Sequence, residues 1–176
     1  PDLFYQGQYE TVIREESNIG ASGSRNAALA WLTCASASLC KGDCQAAMDF
    51  LERANLIMWS NTGEGEAEAI KGKEELKIFK GDPYEKTMCN VYLGMLDFQR
   101  GRFENALASF KTAELADAGS KGEEYKADYA LVYFLQGRTY QALGDVESAG
   151  KCFTLVKASL VSRTILDVSR HAVISA

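Results

Sequence analysis

Three stretches of this 176-residue chain, Trp31 to Ala54, Asn90 to Ala113 and Tyr133 to Val156, carry one spaced set of residues in the same register. The first set is Trp31, Cys34, Ala35, Ser38, Gly42, Ala47, Leu51 and Ala54; the second is Asn90, Leu93, Gly94, Asp97, Gly101, Ala106, Phe110 and Ala113. The third is Tyr133, Gln136, Gly137, Tyr140, Gly144, Ala149, Phe153 and Val156. A glycine between two apolar segments suits the left-handed conformation that ends a helix. The spacing therefore predicts a helix-turn-helix hairpin made three times. Such units stack to bury a common apolar face, so the chain is expected to be an all-α array whose product is a surface for partners.

The packing logic is local. Small residues at Ala35, Gly94 and Gly137 let the paired helix come close, and Leu51, Phe110 and Phe153 are expected to fill the space between neighbours, each burial contributing roughly 1.5 to 3 kcal/mol. Asp43 and Asp145 directly follow turn glycines, where they serve as N-caps; Arg102, at the equivalent place, cannot. A half copy, Gly7, Tyr9 and Val12, opens the chain, so an upstream segment is expected. Helices are predicted over 8–18, Ser24 to Lys41, Cys44 to about Met58, Pro83 to Arg100 and Glu104 to about Leu115. Asp82, Pro83 and Glu85 form a capping-box start, and Ser120 with Glu123 a second one, opening a helix of about 23 residues that ends at Gly144. Its partner runs from Val146 to about Leu160, and the tail from Ser162 to Ala176 is expected to be helical.

The turn glycines at 7, 42, 101 and 144 are 35, 59 and 43 positions apart, so the array is irregular. The excess of roughly 25 residues over a 34-residue period lies between Asn61 and Lys80. Gly and alternating charges there fit a solvated, partly helical loop; a lid or docking element is the functional alternative. Gly63 and Gly65 are followed by acidic residues with no Gly-Lys-Ser/Thr sequence, which is the wrong chemistry for a phosphate.

These sets resemble the tetratricopeptide repeat, whose pattern is W-x2-L-G-x2-Y followed by A-x3-F. The resemblance implies a right-handed α-α superhelix in a single domain, 1–176, with units at about 24–58, 83–116 and 121–160, a half repeat at 1–18 and an insertion at 61–81. In that family the first helix of each unit lines a concave groove. Carried onto this chain, the groove face holds Leu29, Leu32 and Ser36, then Met88, Val91 and Met95, then Phe134, Arg138 and Gln141. It is mostly apolar, which suits an amphipathic helix or an extended hydrophobic peptide. Only Arg138 carries positive charge, so capture of a terminal carboxylate is not expected; the chain's own insertion or tail is a competing occupant. The implied function is a protein-protein interaction scaffold or adaptor, with a self-assembling structural unit as the alternative. A shorter segment, Phe79-Lys80-Gly81-Asp82-Pro83-Tyr84-Glu85-Lys86, is similar to repeat proteins of the bacterial cell envelope, often lipid-anchored. That likeness implies an envelope lipoprotein with its anchor upstream, against a cytoplasmic protein.

Composition narrows the partners. A net charge of -5 and a pI near 5.0 work against nucleic acid or an anionic membrane, both of which need clustered Lys and Arg. No apolar run approaches the roughly 20 residues that cross a bilayer. Five cysteines, at 34, 40, 44, 89 and 152, fall mostly on predicted helix faces, which favours free thiols and a reducing compartment. No cofactor, metal or catalytic activity is expected. Cys40 and Cys44 have a turn between them and no further ligands, His171 stands without a neighbouring acid or cysteine at a ligand spacing, and the adjacent pairs Glu15–Glu16 and Glu123–Glu124 diverge on a helix.

Overall fold

A computed structural model describes residues 2–60, 78–118 and 129–174, the last stretch beyond residue 161 as backbone. The described residues form eight helices and no strand: α1 Asp2–Tyr5, α2 Tyr9–Ala21, α3 Ala27–Cys40, α4 Cys44–Trp59, α5 Pro83–Gln99, α6 Phe103–Ala118, α7 Ala130–Ala142 and α8 Val146–Ile174. Every extensive helix pairing joins neighbours in sequence, from α1 on α2 through to α7 on α8. The molecule is therefore a linear stack, in which each helix leaves part of its surface free of tertiary cover.

Four turns are built alike. Gly7, Gly42, Gly101 and Gly144 have φ of 74°, 79°, 74° and 81°, conformations that cost a residue with a Cβ. In each turn the N–H after the glycine donates five residues back: Gln8 to the Leu3 carbonyl at 3.0 Å, and Asp43 to Ser38, Arg102 to Asp97 and Asp145 to Tyr140, all at 2.9 Å. The glycine N–H itself donates to Phe4, Leu39, Phe98 and Gln141 at 3.0 to 3.1 Å, completing the Schellman arrangement that satisfies a helix's last carbonyls. The next helix is then capped by Asp43 Oδ1 accepting from the Ala46 N–H at 2.9 Å, or by Asp145 Oδ1 accepting from Ser148 at 3.0 Å. Arg102 instead sets its guanidinium 2.6 Å from Asp97 Oδ1, an ionic contact across the turn. Helix α5 starts on the Asp82 N–H, which donates to Glu85 Oε2 at 2.8 Å, with Pro83 at the first helical position.

Within the hairpins, glycine makes room for an aromatic ring. A Cβ on Gly94 would overlap the Phe110 ring, and one on Gly137 would stand 2.7 Å from Phe153 Cε1. Phe110 is fully buried and Leu51 is 2 % exposed, whereas Phe153 is half-buried because no helix beyond α8 packs on it among the described residues. The aligned positions of the first two hairpins, the turn glycines apart, are all buried.

Between hairpins, three equivalent positions on the second helices meet the next first helix with different chemistry. Gly20 receives the Trp31 ring, Asn55 Oδ1 accepts from Asn90 Nδ2 at 3.1 Å, and Glu114 Oε2 accepts from Gln136 Nε2 at 2.7 Å. Asn90 and Gln136, which depart from the repeat pattern, are thus polar ties between hairpins. Gln136 also donates to the Phe110 carbonyl at 3.3 Å, and the Thr87 hydroxyl to that of Ala113 at 3.3 Å.

Two expectations are corrected. The helix predicted to run unbroken from Ser120 to Gly144 begins at Ala130; Tyr129 is non-helical, with φ −77° and ψ 84°. Its N–H donates to Asp117 Oδ2 at 3.4 Å and its hydroxyl to Met88 Sδ at 3.3 Å, which holds it out of the helix. The Ser120–Glu123 box lies outside the described residues. In the other direction α8 does not stop near Leu160 but continues as one 29-residue helix through the tail. Of the insertion, residues 61–77 lie outside the described residues; its end is tied down, the Phe79 N–H donating to the Arg25 carbonyl at 2.8 Å and Lys80 Nζ to the Ser60 carbonyl at 2.9 Å.

Gly101 stands in open space, so only its backbone objects to a side chain. Gly101→Ala is expected to lower stability by about 1 kcal/mol in urea unfolding and Gly101→Asn by less. The Asp145 carboxyl is held below its ordinary value of 3.8, chiefly by the Ser148 side-chain hydrogen bond. A folded pKa below the unfolded one contributes stability that is present above the unfolded value and lost as pH falls through the folded one. The stability difference between the parent chain and Asp145→Ala is therefore expected to hold down to about pH 4 and to close below it.

Candidate partner-binding groove

The first helix of each hairpin carries a row of uncovered side chains. On α3 the row includes Leu29, 44 % exposed, with Leu32 half-buried and Ser36 exposed. On α7 it includes Phe134, Arg138 and Gln141, the Arg138 guanidinium donating to Gln141 Oε1 at 3.0 Å. Phe134 also leans on Phe153, with ring centroids 6.2 Å apart.

On α5 the row runs Tyr84, Met88, Tyr92, Met95, spaced by 4, 4 and 3, the spacing of a single helix face. Val91, assigned to this face by sequence, is not on it. It is 1 % exposed and packs with Ala113 and Val132, because α5 is covered from the α6 and α7 side as well as by α4. Tyr92, 40 % exposed, occupies the place expected of Val91. Tyr84, Tyr92 and Leu39 are the groove residues that sequence reasoning missed. The i, i+4, i+8 row of Tyr84, Met88 and Tyr92 was the signal for two of them.

Two clefts flank the row on α3. One, of about 160 Å³, opens between α3 and α5 and is bordered by Leu32, Ser36, Leu39, Tyr84, Met88 and Tyr92, with Leu51 and Cys89 beneath. The other, of about 340 Å³, lies where α1 and α2 meet α3, with Phe4, Tyr5, Glu15, Glu16, Thr33 and Ser36 around it. Ser36 borders both, so the clefts adjoin on either side of α3. Glu15 and Glu16 were expected to diverge into solvent, but both face this one cleft, Glu16 half-buried, because it is wide enough to span the roughly 100° between adjacent helical positions. The structure thus brings Leu32, Ser36 and Met88 together around one cleft, while Leu29, Met95 and the α7 residues stand outside both.

The thiols are arranged for packing. Burial pushes the Cys89 thiol up to about 12, and its Sγ–H donates to the Leu51 carbonyl at 3.6 Å. Burial also raises Cys34 and Cys152, the latter helped by the charge of Glu114. Cys40 and Cys44 face different neighbours. Cys40 lies against Tyr9, whose phenol it pushes up, while the Cys44 thiol points at Gln99 Oε1, 4.0 Å away. Among the described residues no group of three or more His, Cys, Asp or Glu side chains is placed to hold a metal ion, and no helix is long and apolar enough to cross a membrane. The side chain of His171 lies outside the described residues. The sequence matches no protein-family model and no curated protein.

At pH 8 a thiol of pKa about 12 is ionised in about one molecule in ten thousand. Iodoacetamide under native conditions is therefore expected to label Cys40 and Cys44 within minutes and to reach Cys34, Cys89 and Cys152 only after unfolding, as read by peptide mass spectrometry.

Proposed function

We propose that the chain is a tetratricopeptide-like solenoid whose work is to hold a protein or peptide partner against the uncovered faces of its first helices. One observation carries this: the packing of helices on sequence neighbours leaves aligned rows on α3, α5 and α7 uncovered, and those rows are rich in side chains that bind well. Tyr84, Tyr92, Met88, Met95 and Phe134 are large or adaptable and order at modest entropic cost. The four matching Schellman turns and the shared seam support the repeat assignment.

A photo-reactive residue at Tyr92 or Met95 is expected to crosslink a discrete partner in the native cell, and one at Leu115, 65 % exposed on α6, is not. Equal labelling from all three positions, or none from Tyr92 and Met95, would count against the groove. In the purified complex, Met88→Ala or Tyr92→Ala is expected to weaken binding about tenfold with helicity unchanged. Val91→Ala is expected to cost about 2 kcal/mol of stability and leave the affinity of the folded protein alone.

The exposed apolar residues on α8, among them Leu155 at 45 % and Leu160 at 54 %, favour self-assembly as a second reading. Mass that rises with concentration, and returns to that of a monomer in Leu155→Ser/Leu160→Ser, would establish it.

A further inference from the structure

The borders of the two adjoining clefts hold three carboxylates, Glu15, Glu16 and Glu85, and no Lys, Arg or His. Glu85 is engaged at the start of α5, but Glu15 and Glu16 have no ion-pair partner among the described residues, although Glu10 of the same helix holds Lys41 at 2.8 Å. Beside the pair stand the rings of Phe4 and Tyr5, the latter 86 % exposed. Carboxylates next to aromatic faces in a concave site attract a cation through charge and ring quadrupole together. Beyond Ser36 the chemistry changes, and the α3/α5 cleft offers Leu32, Leu39 and Met88 to an apolar side chain.

From this order of acidic then apolar lining we infer that the groove is selective for a basic, amphipathic peptide, with a Lys or Arg side chain at Glu15 and Glu16 and a bulky apolar side chain in the cleft between α3 and α5. The inference rests on the peptide-binding function proposed above and adds the sign and direction of the ligand. Acidic peptides are rejected because a carboxylate brought to the first cleft meets two like charges without a compensating cation. A polar but uncharged peptide leaves the pair unmatched and binds through the apolar cleft alone. Steering by the pair makes association sensitive to salt, since the carboxylates border an open cleft within reach of counter-ions.

The test is selection of the full chain on an immobilised library of 12-residue peptides with a fixed Leu-x-x-Leu core and Lys/Arg, Asp/Glu or Ser/Gln at the other positions. Lys/Arg peptides are expected to be enriched, to lose at least fivefold in affinity between 50 and 300 mM NaCl, and to lose a similar factor in Glu15→Gln/Glu16→Gln. Met88→Ala is expected to weaken every peptide class alike. Retained helicity by circular dichroism excludes unfolding as the cause. Selection of Ser/Gln or Asp/Glu peptides, or basic peptides indifferent to Glu15→Gln/Glu16→Gln, would overturn the charge assignment while leaving the peptide groove standing. No selection of any class would overturn both.

Discussion

The close approach of paired helices, made possible where one of them has no side chain, is the interaction on which this architecture depends. Phe110 lies on Gly94 and Phe153 on Gly137 at distances that leave no room for a methyl group, and Trp31 does the same against Gly20 between hairpins. An aromatic ring set into such a notch buries most of its surface without forcing the helices apart. The separation of the paired helices then fixes where the first helices stand, and hence the width of the clefts between them. A wider pair would open the floor of the α3/α5 cleft, where Leu51 and Cys89 now lie beneath Tyr84 and Met88.

Polar side chains in the seam specify which face meets which. Asn90 is tied to Asn55 and Gln136 to Glu114, two buried polar groups that have found partners where the repeat pattern expects an apolar residue, while Asp97 Oδ1 has the ionic contact of Arg102 and no hydrogen bond among the described residues. Leaving such a group unpaired costs about 1 to 3 kcal/mol, which disfavours slipped registers of the stack. Ser38, aligned with Asp97 and Tyr140, is the contrast: its hydroxyl is buried with no partner among the described residues.

The repeat was legible because it depends on local rules. A turn glycine, an acid after it and a small residue opposite a large one are each visible within a few positions, and Gly42, Gly144, Asp43, Asp145, Gly94 and Phe110 all stand where those rules put them. What was not legible depends on neighbours distant in sequence. Val91 falls one helical position from Tyr92, and only the arrival of Ala113 and Val132 decides which of the two is buried. Tyr129 stays out of α7 because of Asp117 and Met88, one of them 41 residues away. The cleft at Glu15 and Glu16 needs α1, α2 and α3 together, and no spacing within α2 alone announces it.

The most direct measurement is a double-mutant cycle at the notch, with Gly94→Ala, Phe110→Leu and the pair compared by urea unfolding. Close packing of ring on glycine predicts that Gly94→Ala costs about 2 kcal/mol alone and distinctly less when Phe110 has been shortened, a coupling of at least about 1 kcal/mol. Costs that simply add would mean that the ring does not rest on the glycine, and the account of how these helices come together would be wrong.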